Sequence, residues 1–228
     1  MRISLALAVA LVALLVHKRA IFPPLQEEFK MGPTTSNHTV VLLHGLFADP
    51  SQTKILANMI YSRDRSVRIF GWSTFHPFTE RDRTTTNVLQ SRFMSMTSEK
   101  ITLVGFSMGG LVGYNALTWA KVGGGGDILR AVTVCSPLNG MKGVYPGLHH
   151  RLFMWLTGVS LRPLSGHPYI SGLQIGSSQD WLVDPEGAFN SELGGEWQMY
   201  DTQLPLHDHS SHIPTLERIR DYVLNGKV

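Results

Sequence analysis

Residues Ile101 to Val112, ITLVGFSMGGLV, constrain the fold more than any other stretch: an apolar run reaches a serine set between glycines and continues as a helix-forming segment. That is the pattern of a strand, a sharp turn and a helix. A serine on such a turn is lifted above the sheet with its backbone strained, so the residues on either side must be minimal, which Gly105 and Gly109 are. Gly110 and Gly113 then allow the helix to approach the sheet closely. The first N–H groups of that helix point at any negative charge that develops beside Ser107.

With 22 glycines in 228 residues, the bare pattern G-x-S-x-G is weak evidence. Its surroundings strengthen it, because a buried-strand run precedes it, a helix follows it, and an earlier apolar run ends in His44-Gly45. Together VVLLHGLF (Val40 to Phe47) and VGFSMGGLV (Val104 to Val112) resemble the α/β-hydrolase superfamily, and within it the compact serine lipases and esterases. The resemblance covers about residues 39 to 226. It implies an α/β fold with a mainly parallel sheet and helices on both faces.

The alternation of elements carries the same expectation on its own. Apolar runs predict strands at 39–43, 67–70, 101–106, 129–135, 170–175 and 197–203, and helical spacing predicts helices at 52–62, 87–96 and 213–224. Six strands are therefore expected, two fewer than the eight typical of the superfamily. Residues 39–228 form one domain, with a short cap-like insertion at about 141–169.

The N-terminus differs in character. Ile3 to Val16 is an apolar run of 14 residues broken only by Ser4, preceded by Arg2 and followed by His17, Lys18 and Arg19. A full span needs about 20 residues, and the Ala-x-Ala pattern of a cleavable signal is missing at its end. Residues 1–19 therefore read as an uncleaved signal anchor or shallow membrane anchor, ahead of a cleaved signal or an organelle-targeting segment. The expected location is membrane-associated or secretory, with the orientation undecided because basic residues flank both sides. Residues 20–38, with Pro23-Pro24 and MGPTTSNH, read as a linker.

A net charge of +3 without any Lys/Arg block argues against nucleic acid as a partner. Cys135 stands alone, so no internal disulfide forms, and its apolar setting in AVTVCSP reads as core.

A serine hydroxyl is a poor nucleophile at neutral pH and needs a base, with a third group to orient that base. The resemblance implies the chain order serine, acid, histidine. GSSQDWLVDP offers two aspartates; Asp180, in G-x-x-x-D-x-x-V-x-P, is close to the family's acid turn and is favoured over Asp184. LHDHSSHIP offers His207, His209 and His212, of which His209, followed by Ser-Ser, is favoured as base. The oxyanion would meet the backbone N–H of Met108 and, by resemblance, that of Leu46. His44 reads as a prop for that loop.

CSPLNG (Cys135 to Gly140) resembles the S-P-x-x-G turn of small lipases, and Leu148, Leu152, Phe153, Trp155 and Leu156 suit a short amphipathic helix over a pocket mouth. An apolar cap beside an anchor favours a small-molecule acyl ester or lipid as substrate, hydrolysed without a cofactor or metal. Acyltransfer and thioester hydrolysis use the same residues. Two other classes compete: a noncatalytic binding protein on this fold, and a metallohydrolase. The latter is prompted by H-x-H-x-x-H at His207 to His212, but Ser211 stands where the binuclear pattern has aspartate.

Overall fold

The computed structural model describes residues 26–33, 36–45, 48–71, 84–96, 98–122, 128–140, 169–180, 183, 185–193, 195–202 and 211–226. In chain order the elements are β1 (Gln26–Met31), β2 (His38–Leu43), a 3-10 turn (Pro50–Thr53), α1 (Lys54–Ile60), β3 (Arg65–Gly71), α2 (Thr84–Met94), β4 (Lys100–Phe106), α3 (Met108–Val122), β5 (Ile128–Val134), β6 (Ile170–Gly176), a one-turn α4 (Pro185–Ala188), β7 (Trp197–Asp201) and α5 (Ile213–Asn225).

The strands form one sheet in the order β1-β3-β2-β4-β5-β6-β7. From β2 to β7 every pairing is parallel, while β1 runs antiparallel to β3. Among the described residues the sheet thus has seven strands where six were expected. The extra one, β1, lies in 20–38, the stretch read as a linker, which is corrected for 26–31. Its sequence, QEEFKM, has only Phe29 and Met31 as apolar residues, too short an alternation to stand out as a strand, and among the described residues it pairs with β3 alone, at the sheet edge.

Side chains alternate across the strands and build two apolar layers. On one face Val41, Leu43, Leu103 and Ala131 pack with Leu89 and Phe93 of α2 and with Tyr114 and Leu117 of α3. On the other, Val40, Leu42, Val104 and Val132 pack with Leu56 and Ile60 of α1 and with Leu216, Ile219 and Val223 of α5. Helices therefore cover both faces, as buried parallel strands require. Asp49 Oδ1 accepts from the Ser51 N–H at 2.7 Å to start the 3-10 turn. Pro214 opens α5, and Gly226, at φ 75°, closes it with its N–H on the Tyr222 carbonyl.

Among the described residues no helix is long and apolar enough to cross a membrane. The expected anchor at 1–19 and nearly all of the cap-like insertion lie outside the described residues.

Candidate active site

Parallel strands all present their carboxyl ends at one edge, so the segments that follow β2, β4, β5, β6 and β7 start there. Ser107 leaves β4 at φ 50°, in the left-handed region, and is 9% exposed. Its N–H donates to the Val134 carbonyl at 2.7 Å, tying the turn to β5. A Cβ on Gly105 would collide with the Gly110 backbone, and one on Gly109 with the His44 carbonyl oxygen. The glycines are thus required by close approach of chain to chain, as the pattern demanded. Met108 begins α3, so its N–H belongs to the first turn, where a helix supplies no acceptor of its own.

The loop after β2 reaches the same point. β2 and β4 are neighbours, with Leu43 opposite Gly105, and a Cβ on Gly45 would stand 3.2 Å from the Ser107 Cβ. His44 is 1% exposed and its Nδ1–H donates to the Gly45 carbonyl at 2.7 Å, so the ring braces the turn. Burial pushes its pKa below the usual histidine range and keeps it neutral. That fits the expected prop. Leu46 itself is outside the described residues.

Asp180 ends the turn that leaves β6. Its N–H donates to the Ser177 carbonyl at 3.2 Å and its Oδ1 accepts from the Val183 N–H at 3.1 Å. Only 7% exposed, the carboxyl is held in a turn otherwise clamped by Asp201, whose Oδ1 accepts from the Ser178 N–H at 3.0 Å. Asp184 lies outside the described residues, as do His207 and His209. In sequence the two histidines fall between β7 and α5, and β7 ends at the same edge, where the Thr202 N–H meets the Gly176 carbonyl at 2.9 Å. His212 is described and is otherwise engaged: it precedes α5 at the N-cap position, with its ring Nδ1 2.8 Å from Thr215 Oγ1.

Cys135 was expected in the core, and it is buried, but it also belongs to this edge. It follows β5 as Ser107 follows β4, likewise with positive φ, 44°. Its thiol hydrogen-bonds to Asp180, and burial first, then that carboxylate, push its pKa far up, so it stays protonated. A protonated thiol is a donor to the carboxyl and no nucleophile. The signal in the sequence was its position one residue beyond a strand of the same register as β4.

The structure therefore brings Ser107, Met108, Gly45, Cys135 and Asp180 to one edge. A serine hydroxyl at a helix N-terminus with a buried carboxyl two strands away is an arrangement that suits acyl transfer once an imidazole joins them.

No family model and no curated protein matches the sequence. Solved structures do. A lipase-esterase related protein from Clostridium acetobutylicum is similar at TM-score 0.60 and 13% identity, over 89% of this chain and 99% of that one. A monoacylglycerol lipase from Paleococcus ferrophilus is similar at TM-score 0.60 and 15% identity, over 89% and 99%. The type II thioesterase BorB of the borrelidin biosynthetic cluster follows at TM-score 0.58 and 13% identity, over 88% and 92%. The chain has the α/β-hydrolase fold.

Proposed function

We propose that the protein hydrolyses a hydrophobic carboxylic ester through an acyl-enzyme on Ser107. The observation that carries this reading is the Ser107 turn: positive φ, a helix N-terminus behind it, and Gly45 packed against its Cβ. In the first step Ser107 Oγ attacks the ester carbonyl while His209 takes its proton, and the oxyanion is held by the N–H groups of Met108 and Leu46. His209 then returns the proton to the departing alcohol. Water, deprotonated by the same imidazole, attacks the acyl carbonyl and frees Ser107. Asp180 fixes the imidazole tautomer through these steps.

Anchorage by residues 1–19 belongs to the same reading, since an enzyme held at a membrane meets its lipid ester there. Thioester hydrolysis is the second reading, favoured by the likeness to a type II thioesterase. Labelling of the full-length protein with a fluorophosphonate, followed by turnover of matched acyl esters and acyl thioesters of several chain lengths, tests both. Labelling lost in Ser107→Ala with ester turnover above thioester turnover is expected. Labelling that persists in that variant would sink the serine mechanism.

A further inference from the structure

At the other end of the strands, a row of basic side chains has no role in the chemistry above. Arg65 and His38 open β3 and β2, Lys100 opens β4, and Arg130 is the third residue of β5. The register sets His38 opposite both Arg65 and Lys100, and Thr102 opposite Arg130. With a period of two, Arg65, His38, Lys100, Thr102 and Arg130 share the face that α1 and α5 cover further along the strands. Arg65 and Lys100 are two strand spacings apart, about 10 Å, within reach of one ligand for side chains of this length.

The row is wired through a neutral imidazole. Arg65 Nε–H donates to His38 Nδ1 at 3.2 Å, and His38 Nε2–H donates to Thr102 Oγ1 at 2.9 Å. Arg65 Nη1 also donates to the Ile60 carbonyl at 3.0 Å and to Ser62 Oγ at 3.1 Å, so this guanidinium caps α1. Arg130 lies against Gly226 at the carboxyl end of α5, where a Cβ would stand 2.7 Å from its Nη2.

Helix ends thus offset part of the charge of the two arginines, but among the described residues nothing comparable faces Lys100. Among the described residues neither the Lys100 nor the Arg130 side chain makes a hydrogen bond or an ion pair, and both are half-buried. Among the described residues the acidic groups nearby are all exposed: Asp64, which accepts from Ser62 Oγ; Glu196, whose charge is felt at Tyr222; and Glu99, next to Lys100 in the chain, while Asp127 and the Val228 carboxylate lie outside the described residues. Burial, then Arg130 and Arg65, push the Lys100 pKa down to about 8, which is what an unopposed cation among cations experiences. A fold keeps such an arrangement at a cost in stability that a bound anion would reverse.

We propose that Arg65, Lys100 and Arg130 form a binding site for a phosphate-bearing anion at the amino-terminal edge of the sheet, away from Ser107. A tetrahedral phosphate offers several acceptors to a guanidinium fork and a point charge to an ammonium, which is the donor set present. The seven residues of β4 separate this edge from Ser107 by about 20 Å, so the site acts without touching the reacting atoms. A free phosphate and a phospholipid headgroup both have the required chemistry.

The test uses the full chain at constant ionic strength, adjusted with potassium chloride. Inorganic phosphate at ten times its Kd is expected to raise Tm by about 3 °C. Excess binding to phosphatidylglycerol over phosphatidylcholine vesicles is measured in parallel. Both responses are compared in the parent, Lys100→Met, Arg130→Gln and the double variant. A phosphate-dependent rise that the variants lose supports the site and assigns it a free anion. Loss of the phosphatidylglycerol excess without any phosphate effect supports it and assigns it a lipid headgroup. Lys100→Met removes a repelled cation and is expected to melt no lower than the parent without phosphate; should it melt lower, Arg130→Gln carries the same comparison. Absence of both responses in the parent, or their survival in the double variant, overturns the proposal.

Discussion

The Cβ position of Gly45 lies 3.2 Å from the Cβ of Ser107, so the loop after β2 and the turn after β4 touch at this serine. A methyl group there asks the two segments to part by a few tenths of an ångström, whereas on Gly109 it would meet the Leu43 carbonyl oxygen at 2.7 Å, as well as that of His44. Gly45→Ala is therefore expected to cost under about 1 kcal/mol of stability but to lower kcat roughly tenfold, because it shifts Ser107 against the oxyanion donors. Gly109→Ala is expected to cost about 2 kcal/mol or more, since backbone cannot yield as a side chain does. Urea melts and initial rates on one short-chain ester separate the two, and equal stability losses would refute the distinction.

Acid and base are tested on the same ester. Asp180→Asn is expected to lose at least about a hundredfold in kcat and Asp184→Asn less than about tenfold, because general-base assistance contributes roughly 10² to 10⁴. His209→Ala should match Ser107→Ala, while His207→Ala and His212→Ala keep most activity, with melts as the folding control. Loss of the His212 Nδ1 to Thr215 Oγ1 hydrogen bond predicts a modest stability loss there instead, about 1 kcal/mol. A large loss at Asp184 with Asp180 unaffected would reverse the acid assignment, and a dead His207 variant beside an active His209 variant would move the base two residues upstream.

Cys135 donates to Asp180 from a buried position, so the donor matters more than the sulfur. Cys135→Ser should keep turnover within about threefold and Cys135→Val should lower kcat about tenfold with KM little changed, in line with a hydrogen bond to a carboxylate. The native thiol should also resist alkylation at pH 8 until the protein is unfolded. Rapid native alkylation would contradict the burial and the raised pKa.

His38 supplies a pH dependence. Burial, then Lys100, Arg65 and Arg130, push its pKa down to about 3, with only Asp64 acting the other way. Between about 6.5 and 3 the unfolded chain binds a proton that the folded chain refuses, so stability falls as pH drops through that window. His38→Gln is expected to lose less stability than the parent between pH 7 and pH 4.5 in urea melts. Equal losses would show that His38 titrates normally in the folded protein.

Local grammar was sufficient where backbone geometry makes demands on adjacent residues. The turn at Ser107 needs Gly105 and Gly109 within two positions, so ITLVGFSMGGLV announced it, and the two-sided burial of β2, β4 and β5 appeared as continuous apolar runs. The alternation of such runs with helical spacing likewise carried the fold class, because a parallel strand needs a crossover before the next can pair.

What the tertiary structure decided are relationships without a sequence period. β1 has only Phe29 and Met31 as apolar residues, too few to mark a strand, and the antiparallel register with β3 reveals it. Cys135 looked like core from its neighbours, and its contact with Asp180 arises because β4, β5 and β6 lie side by side with their ends in register. Arg65, Lys100 and Arg130 are scattered over 65 positions of the chain, and only the pairing of β3, β2, β4 and β5 gathers their charges on one face. Residue type and spacing specify what a segment does to its own backbone, while the meeting of distant side chains is set by strand order and register, which long-range packing selects.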